Sequence, residues 1–170
     1  MSMNGMDFFR KNADMDGLCE EYATKWDSCV SKKQMMDLAL EAKGIDYVCD
    51  SIAKGWGLSP EYISSHFKSF INGAYIFSNG KYTSQMYCGY SGDIECKTTA
   101  IALINCDVRI HTPKFSMCEI YATGNVKLSI SGSGYVVVIA YGDEPNVVVD
   151  CSSEVRFKRI QKKEKDKHEG

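Results

Sequence analysis

Apolar residues in the N-terminal part of the chain recur at helical spacing. Met15, Leu18, Cys19, Tyr22 and Trp26 stand at positions i, i+3, i+4, i+7 and i+11. Residues with this spacing lie on one face of an α-helix. The pattern therefore predicts an amphipathic helix with its apolar side formed by these residues.

Capping and stop residues predict two more helices after the first. Ser31 and Gln34 have the spacing of a capping box, in which each side chain satisfies a free backbone amide at the start of a helix. We expect this second helix to end at Gly44, since glycine readily adopts the left-handed conformation that terminates helices. A third apolar stripe begins at Ile45 and is stopped by Gly55.

A fourth helix and a hairpin complete the first half of the chain. Ser59 is a good N-cap and Pro60 suits the first helical turn, where a missing N–H costs little. We expect this helix to end at Asn72-Gly73. A hairpin should follow, with Asn79-Gly80 as its turn and residues 82–88 as its second strand.

The last third of the chain alternates apolar and polar residues and can be read as one unit written several times. The units cover residues 100–111, 118–129 and 136–150, with a partial copy at 154–160. The corresponding positions Ile101, Cys118, Val136 and Val155 are 17, 18 and 19 residues apart. Stacked units that share one core are typical of a β-solenoid. An antiparallel sandwich or meander is the alternative, because its strands also alternate.

Together these patterns predict an α+β chain with four parts. They are a helical module at 1–73, a connecting hairpin at 74–93, a solenoid-like β-repeat at 94–160 and a charged tail at 161–170.

Composition adds limits on the partners of the chain. Hydrophobic residues make up 44% and charged residues 25% of 170 residues, the balance of a globular protein. The formal net charge is only −2, so no overall positive field favours nucleic acid or an anionic membrane.

Eight cysteines raise the question of metal binding. They are spread along the chain without a CxxC pair, and the three histidines are scattered as well. Zinc sites usually contain closely spaced ligand pairs. We therefore expect the cysteines to act as small hydrophobic side chains in a reduced core, with no metal and no cofactor. A metal site assembled by the fold, or a single reactive thiol, is the alternative.

Sequence motifs of common enzymes are missing. The chain has no phosphate-binding P-loop, dinucleotide fingerprint, HExxH zinc motif or GxSxG nucleophile elbow. We expect a protein without enzymatic activity.

Residues 45–73 resemble the second helix-turn-helix of AraC-family regulators. The similarity includes Gly57-Leu58-Ser59-Pro60, Tyr62-Ile63-Ser64 and Phe67-Lys68. It implies a helix that enters the major groove of DNA, with contacts from Lys54, Ser64, Ser65 and Lys68. Arginine, the side chain that reads guanine best, is missing from the outward positions of this helix.

A longer part of the chain resembles small proteins of gut-bacterial phages and prophages. The similarity runs from Leu18 to Ile63 and continues in Tyr82-Thr83-Ser84-Gln85-Met86-Tyr87-Cys88. It implies a phage context without implying catalytic residues. We therefore expect the protein in the host cytoplasm or in a virion, and not secreted.

These observations favour a non-enzymatic protein that binds a protein partner or another copy of itself through the β-repeat. It would be a virion component or an inhibitor of a host factor, such as a defence system. The alternative is a helix-turn-helix regulator that binds DNA. The expected interaction surface consists of outward residues of the repeat: Arg109, His111, Tyr121, Lys127 and Tyr141.

Overall fold

The structure of the chain is a computed structural model that describes residues 24–26, 28–55, 58–151 and 155–160, with side chains as far as Tyr141. The predicted first helix lies mostly outside the described residues, although residues 24–26 are helical. The predicted charged tail also lies outside them.

In the described part of the chain, three α-helices with defined bounds and a short 3₁₀ helix precede the sheet. They are α1 (Lys32–Leu40), α2 (Ala42–Lys54), α3 (Pro60–His66) and the 3₁₀ turn Lys68–Phe70. The predicted caps are confirmed: the Ser31 hydroxyl accepts from the Gln34 N–H, and the Ser59 hydroxyl accepts from the Tyr62 N–H. Gly55 ends α2 in the left-handed conformation, with φ of 67°.

The predicted end of the second helix at Gly44 is wrong. The helix ends at Leu40, because Glu41 is extended and starts a new helix one residue later. Gly44 lies inside α2 and is buried. A Cβ there would come 2.0 Å from the Leu38 carbonyl oxygen, so the glycine is required by the close contact between the two helices.

The predicted end of the fourth helix at Asn72-Gly73 is also wrong. α3 stops at His66, and the 3₁₀ turn follows after Phe67.

Eight strands of the described residues form one mixed sheet, and the predicted solenoid-like α+β fold is confirmed. The strands are β1 (Phe77–Asn79), β2 (Tyr82–Cys88), β3 (Ser91–Glu95), β4 (Ala100–Ile104), β5 (Asp107–Thr112), β6 (Met117–Gly132), β7 (Tyr135–Cys151) and β8 (Val155–Ile160). All pairs among these eight strands are parallel except the antiparallel β1–β2 hairpin. Parallel pairing is what a coil requires, whereas a meander would pair its strands antiparallel.

The parallel strands form two layers. We call one the covered layer: β2, β4, residues 117–123 of β6, residues 135–141 of β7, and β8. The other, the open layer, contains β3, β5, residues 125–132 of β6 and residues 146–151 of β7. The long strand β6 belongs to both, with an irregularity between Thr123 and Asn125.

The predicted register of the first repeat is shifted by two residues. Ile101 pairs with Ile120 and not with Cys118, whereas Cys118 with Val136 and Val136 with Val155 pair as predicted. A shift of two residues leaves every side chain on the same side of the strand, so the alternation could not reveal it. The ladder also starts with β2 and β3, and both strands begin inside the segment predicted as a connecting hairpin (74–93).

The two layers enclose one hydrophobic core between them. The covered layer contributes side chains such as Ile101, Leu103 and Ile120, and the open layer contributes Ile110 and Val126. All five are fully buried. Because each turn supplies only a few of these side chains, the core exists only when the turns are stacked.

The helices bury the outer side of the covered layer. Met86, Ala102 and Ile104 point away from the inner core and pack with Leu40 and Val48 in a second hydrophobic cluster. Strands β2 and β4 are therefore buried on both sides, which explains near-continuous apolar runs such as AIALI in β4.

Asn72 closes the outer edge of β2. Its backbone N–H donates to the Met86 carbonyl (2.9 Å), and its side-chain oxygen accepts from the Cys88 N–H (2.8 Å). β1 pairs with the other end of the same strand. An exposed strand edge can pair with another chain, and this edge is already occupied.

We expect Gly132→Ala to destabilise the protein by about 3 kcal/mol, the combined cost of a strained backbone and overpacking. Gly132 has φ of 100°, and a Cβ there would lie 2.1 Å from the Thr112 carbonyl oxygen. Gly55→Ala is the matched control: φ is 67° but the space is open, so its cost should be about 1 kcal/mol. Equilibrium urea denaturation measures both. Equal losses would contradict the close contact between the turns.

Candidate interaction surface

The outer side of the open layer presents a regular array of polar side chains. Along each strand they alternate with residues of the inner core. We call this array the polar grid, and its members are Ser91, Asp93 and Glu95 on β3, Asp107, Arg109 and His111 on β5, and Lys127, Ser129 and Ser131 on β6. All are exposed except Ser129, which is half-buried.

The strand register aligns the grid into three rows. Asp93 pairs with Arg109, which pairs with Ser129, and the rows on either side follow the same order. Neighbouring strands are about 4.8 Å apart and alternate residues about 6.6 Å apart. The positions of the polar groups are therefore determined by the hydrogen-bonded ladder beneath them.

One ion pair crosses the middle row. The Arg109 Nε–H donates to Asp93 Oδ1 (2.6 Å), and both side chains are 75% exposed. An exposed pair contributes at most about 1 kcal/mol, so its loss would cost the fold little. A depression of about 450 Å³ opens here, lined mainly by Asp93, Glu95, Arg109, His111 and Ser131.

The third row combines an acid, an imidazole and a hydroxyl. Glu95 is in register with His111, and His111 Nδ1 lies 3.3 Å from Ser131 Oγ. Across the grid three carboxylates face two permanent cations. The grid is thus a charged surface of mixed sign, which suits specific pairing with complementary groups better than general attraction to a polyanion.

Three of the five predicted surface residues come together on this grid: Arg109, His111 and Lys127. Tyr121 and Tyr141 do not. They point away from the inner core as predicted, but α2 covers them and leaves only 8% and 2% of these residues exposed. Their prediction as solvent-facing residues is wrong, because the outer side of the covered layer is an interface within the chain.

Both tyrosines have structural hydrogen bonds instead. The Tyr141 hydroxyl donates to Asp46 Oδ1 on α2 (2.5 Å), and the Tyr121 hydroxyl donates to Glu119 Oε2 (2.7 Å). Their rings stack with centroids 6.4 Å apart. Burial and the adjacent carboxylates raise the pKa of both phenols.

Asp93 and Glu95 are grid residues that sequence reasoning missed. They lie in β3, where Asp93 belongs to the predicted connecting hairpin (74–93) and Glu95 to the start of the predicted repeat domain, before its first unit at residue 100. Ser91-Gly92-Asp93-Ile94-Glu95 has a single central isoleucine and is too short to show the repeat by itself. Only the pairing of Ile94 with Ile110 identifies it as part of the first turn.

The four residues proposed for DNA contact have different surroundings in the structure. The Ser64 hydroxyl points toward the sheet, where its Oγ lies 3.4 Å from Cys88 Sγ, and Ser65 Oγ lies 2.9 Å from His66 Nδ1. Lys54 Nζ lies 3.6 Å from Asp50 Oδ2. Lys68 is exposed in the 3₁₀ turn. α3 has seven residues, a length of about 10 Å.

The described cysteines are mostly core residues. Cys49, Cys88, Cys96, Cys106 and Cys118 are buried, and none of the cysteines whose side chains are described forms a disulfide. Burial raises the pKa of the Cys49 and Cys106 thiols, which holds them in the unreactive protonated form. Within the described residues no group of three or more His, Cys, Asp or Glu side chains could hold a metal ion.

Comparisons with protein-family models, curated proteins and solved structures found no significant match. Among the helices described above, none is long and apolar enough to cross a membrane.

We expect Tyr141→Phe to destabilise the protein by about 1 kcal/mol, because a hydrogen bond between α2 and the sheet is lost. Arg109→Ala should change the free energy of unfolding by less than about 0.5 kcal/mol, since its ion pair is exposed. Thermal or urea denaturation of the two variants measures the difference. A larger loss for Arg109→Ala than for Tyr141→Phe would show that the grid is structural.

Proposed function

We propose that this chain is a non-enzymatic interaction or structural protein encoded by a phage or prophage, and that it binds a protein partner or another copy of itself through the β-repeat. One observation carries the proposal: the outer sides of the two layers of the coil differ in their exposure to solvent. The chain covers the outer side of one layer with its own helices and leaves the polar grid of the other exposed.

The rigidity of the grid supports a binding role. Side chains on a parallel ladder are held at regular spacing before a partner arrives, so little backbone order has to be created on binding. Arg109, which is exposed and lies in the middle row, belongs to a residue type enriched at binding hot spots. Asp93, Glu95 and Lys127 add charges of both signs that would select a complementary partner.

The phage context comes from the resemblance described above, of residues 18–63 and 82–88 to small phage proteins. Two roles fit a protein of this kind equally well, in the virion or in the host cytoplasm. In the first it is a component of the particle, and in the second it inhibits a host factor such as a defence protein.

The surface is tested by affinity purification from phage-infected cells. We expect the tagged protein to recover a partner in near-stoichiometric amount, and the double variant Arg109→Glu/Lys127→Glu to recover at least about tenfold less of it, since each removed contact is worth about 1 kcal/mol or more. The matched control is Lys32→Glu/Lys43→Glu, which reverses two exposed charges on the helices.

Two results would contradict the proposal. One is equal recovery with the grid variant and with the wild type. The other is loss of the partner in the helix control alone. The identity of the recovered protein, virion or host, then separates the two roles.

Duplex DNA provides a separate test against the regulator alternative. We expect random-sequence duplex DNA to bind only weakly even at low salt. The dissociation constant should be about 100 µM or higher, which is the weak limit of non-specific binding. Fluorescence anisotropy across a salt series measures it. Micromolar affinity that is lost in Lys54→Glu/Lys68→Glu would overturn the interaction proposal in favour of a DNA-binding protein.

A further inference from the structure

Exposed apolar side chains are concentrated at one corner of the coil, where β5 turns into β6. Phe115 is 90% exposed, Met117 is 68% exposed and Tyr135 is 37% exposed. These are three of the five large hydrophobic residues that are exposed in the part of the chain described. Met117 and Tyr135 are direct partners in the parallel pairing of β6 and β7. We call these three residues the corner patch.

Phe115 is exposed and has an unfavourable backbone conformation. Its φ is 66°, in the left-handed region that a bulky aromatic residue rarely adopts. This conformation is unfavourable for a residue that has a side chain, and the exposed ring gains little burial within the chain to offset it. A contact outside the chain would supply that burial.

The corner patch has two complementary parts. Phe115 protrudes from the turn, while Met117 and Tyr135 lie side by side on the outer side of the covered layer. Methionine sulfur and tyrosine rings both pack favourably against an aromatic ring. The patch therefore contains a protruding ring and, two residues away, a surface that such a ring could contact.

Side chains of opposite charge lie beside the two parts of the patch. Lys114 Nζ lies 5.1 Å from the centroid of the Phe115 ring. Glu119 is exposed, although its Oε2 accepts a hydrogen bond from the Tyr121 hydroxyl, and it lies on the same side of β6 as Met117 because the two are separated by one residue. A cation thus accompanies the protruding ring, and a carboxylate accompanies the flat part.

We propose that the corner patch binds a second copy of this chain in a two-fold symmetric dimer. In such an interface each surface meets its own equivalent, so Phe115 of each copy packs on Met117 and Tyr135 of the other. The same symmetry brings Lys114 of each copy toward Glu119 of the other. The proposal rests on the proposed interaction role of the β-repeat, and it adds a surface outside the polar grid whose partner is another copy of this chain.

Three apolar side chains on each side form a small interface. Interfaces at the low end of the size range are typical of weak and transient complexes. We therefore expect a dimer with a dissociation constant of about 1–100 µM, one that exchanges readily with the monomer.

Sedimentation velocity of the full chain across a concentration series tests the proposal. We expect monomer at low concentration and dimer at high concentration. Phe115→Asp should raise the dissociation constant by about 30-fold or more, the change that corresponds to a hot spot of about 2 kcal/mol. Val30→Asp is the matched control, since Val30 is 86% exposed and lies outside the patch; it should leave the dimer unchanged.

A charge exchange tests the orientation of the two copies. Lys114→Glu alone should weaken the dimer, and Lys114→Glu/Glu119→Lys should restore much of the lost affinity, because each new pair again joins opposite charges. Glu119→Lys also removes the acceptor of the Tyr121 hydroxyl, so Glu119→Lys alone is the reference for that loss. The same rescue would not occur if the rings met in some other arrangement. Circular dichroism of each variant verifies that the fold is retained.

Three outcomes would overturn the inference. They are a monomer at every concentration, a dimer insensitive to Phe115→Asp, and sedimentation of the wild type, but not of Phe115→Asp, with vesicles of phosphatidylcholine and phosphatidylglycerol. The last would assign the patch to a lipid surface. A monomer that still loses its partner through Arg109→Glu/Lys127→Glu would refute the dimer and leave the proposed function intact.

Discussion

The fold depends on burying both sides of the covered layer. Strands such as β4 have no polar side to turn toward water, since all five of its residues are buried. The inner side is buried by the open layer and the outer side by the helices. The helical module and the β-repeat are therefore parts of one packing arrangement, because neither could bury its apolar surface without the other.

A few polar contacts determine how the helices lie on the layer. The Ser84 hydroxyl donates to the Leu40 carbonyl at the end of α1 (2.6 Å), and the Thr123 hydroxyl donates to the Cys49 carbonyl in α2 (3.4 Å). Tyr141 donates to Asp46. Hydrophobic packing has little directionality, so hydrogen bonds of this kind select one placement of the helices among several that bury similar area.

Local signals in the sequence predicted local structure well. Ser31, Ser59 and Gly55 act within one helical turn, and their roles as caps or stop are confirmed by the structure. The period of the repeat identified the solenoid, because stacked turns require similar lengths. In each case the physical cause lies within the residues that form the pattern.

The errors came from contacts between distant parts of the chain. Glycine is a common helix stop, but Gly44 is needed for a different reason. It allows the close approach of the Leu38 carbonyl across the contact between two helices. Tyr121 and Tyr141 alternate along their strands with residues of the inner core, as solvent-facing residues would. Only the position of α2 shows that they are buried. Part of the candidate site could therefore be predicted from the sequence. The alternation of their own strands identifies Arg109, His111 and Lys127 as outward residues, but it does not identify their acidic neighbours on β3.

This division explains why the open layer is the better place for function. Substitutions on the covered layer disturb a contact within the chain, so selection there is constrained by stability. Grid positions such as Arg109 and Lys127 are exposed on one side and supported by the ladder on the other. They can change without loss of the fold, and the ladder keeps whatever replaces them at the same spacing. A coil covered on one layer and open on the other thus separates the residues that hold the structure from exposed residues whose substitution leaves the fold intact, and this separation is what supports the proposed binding role of the grid.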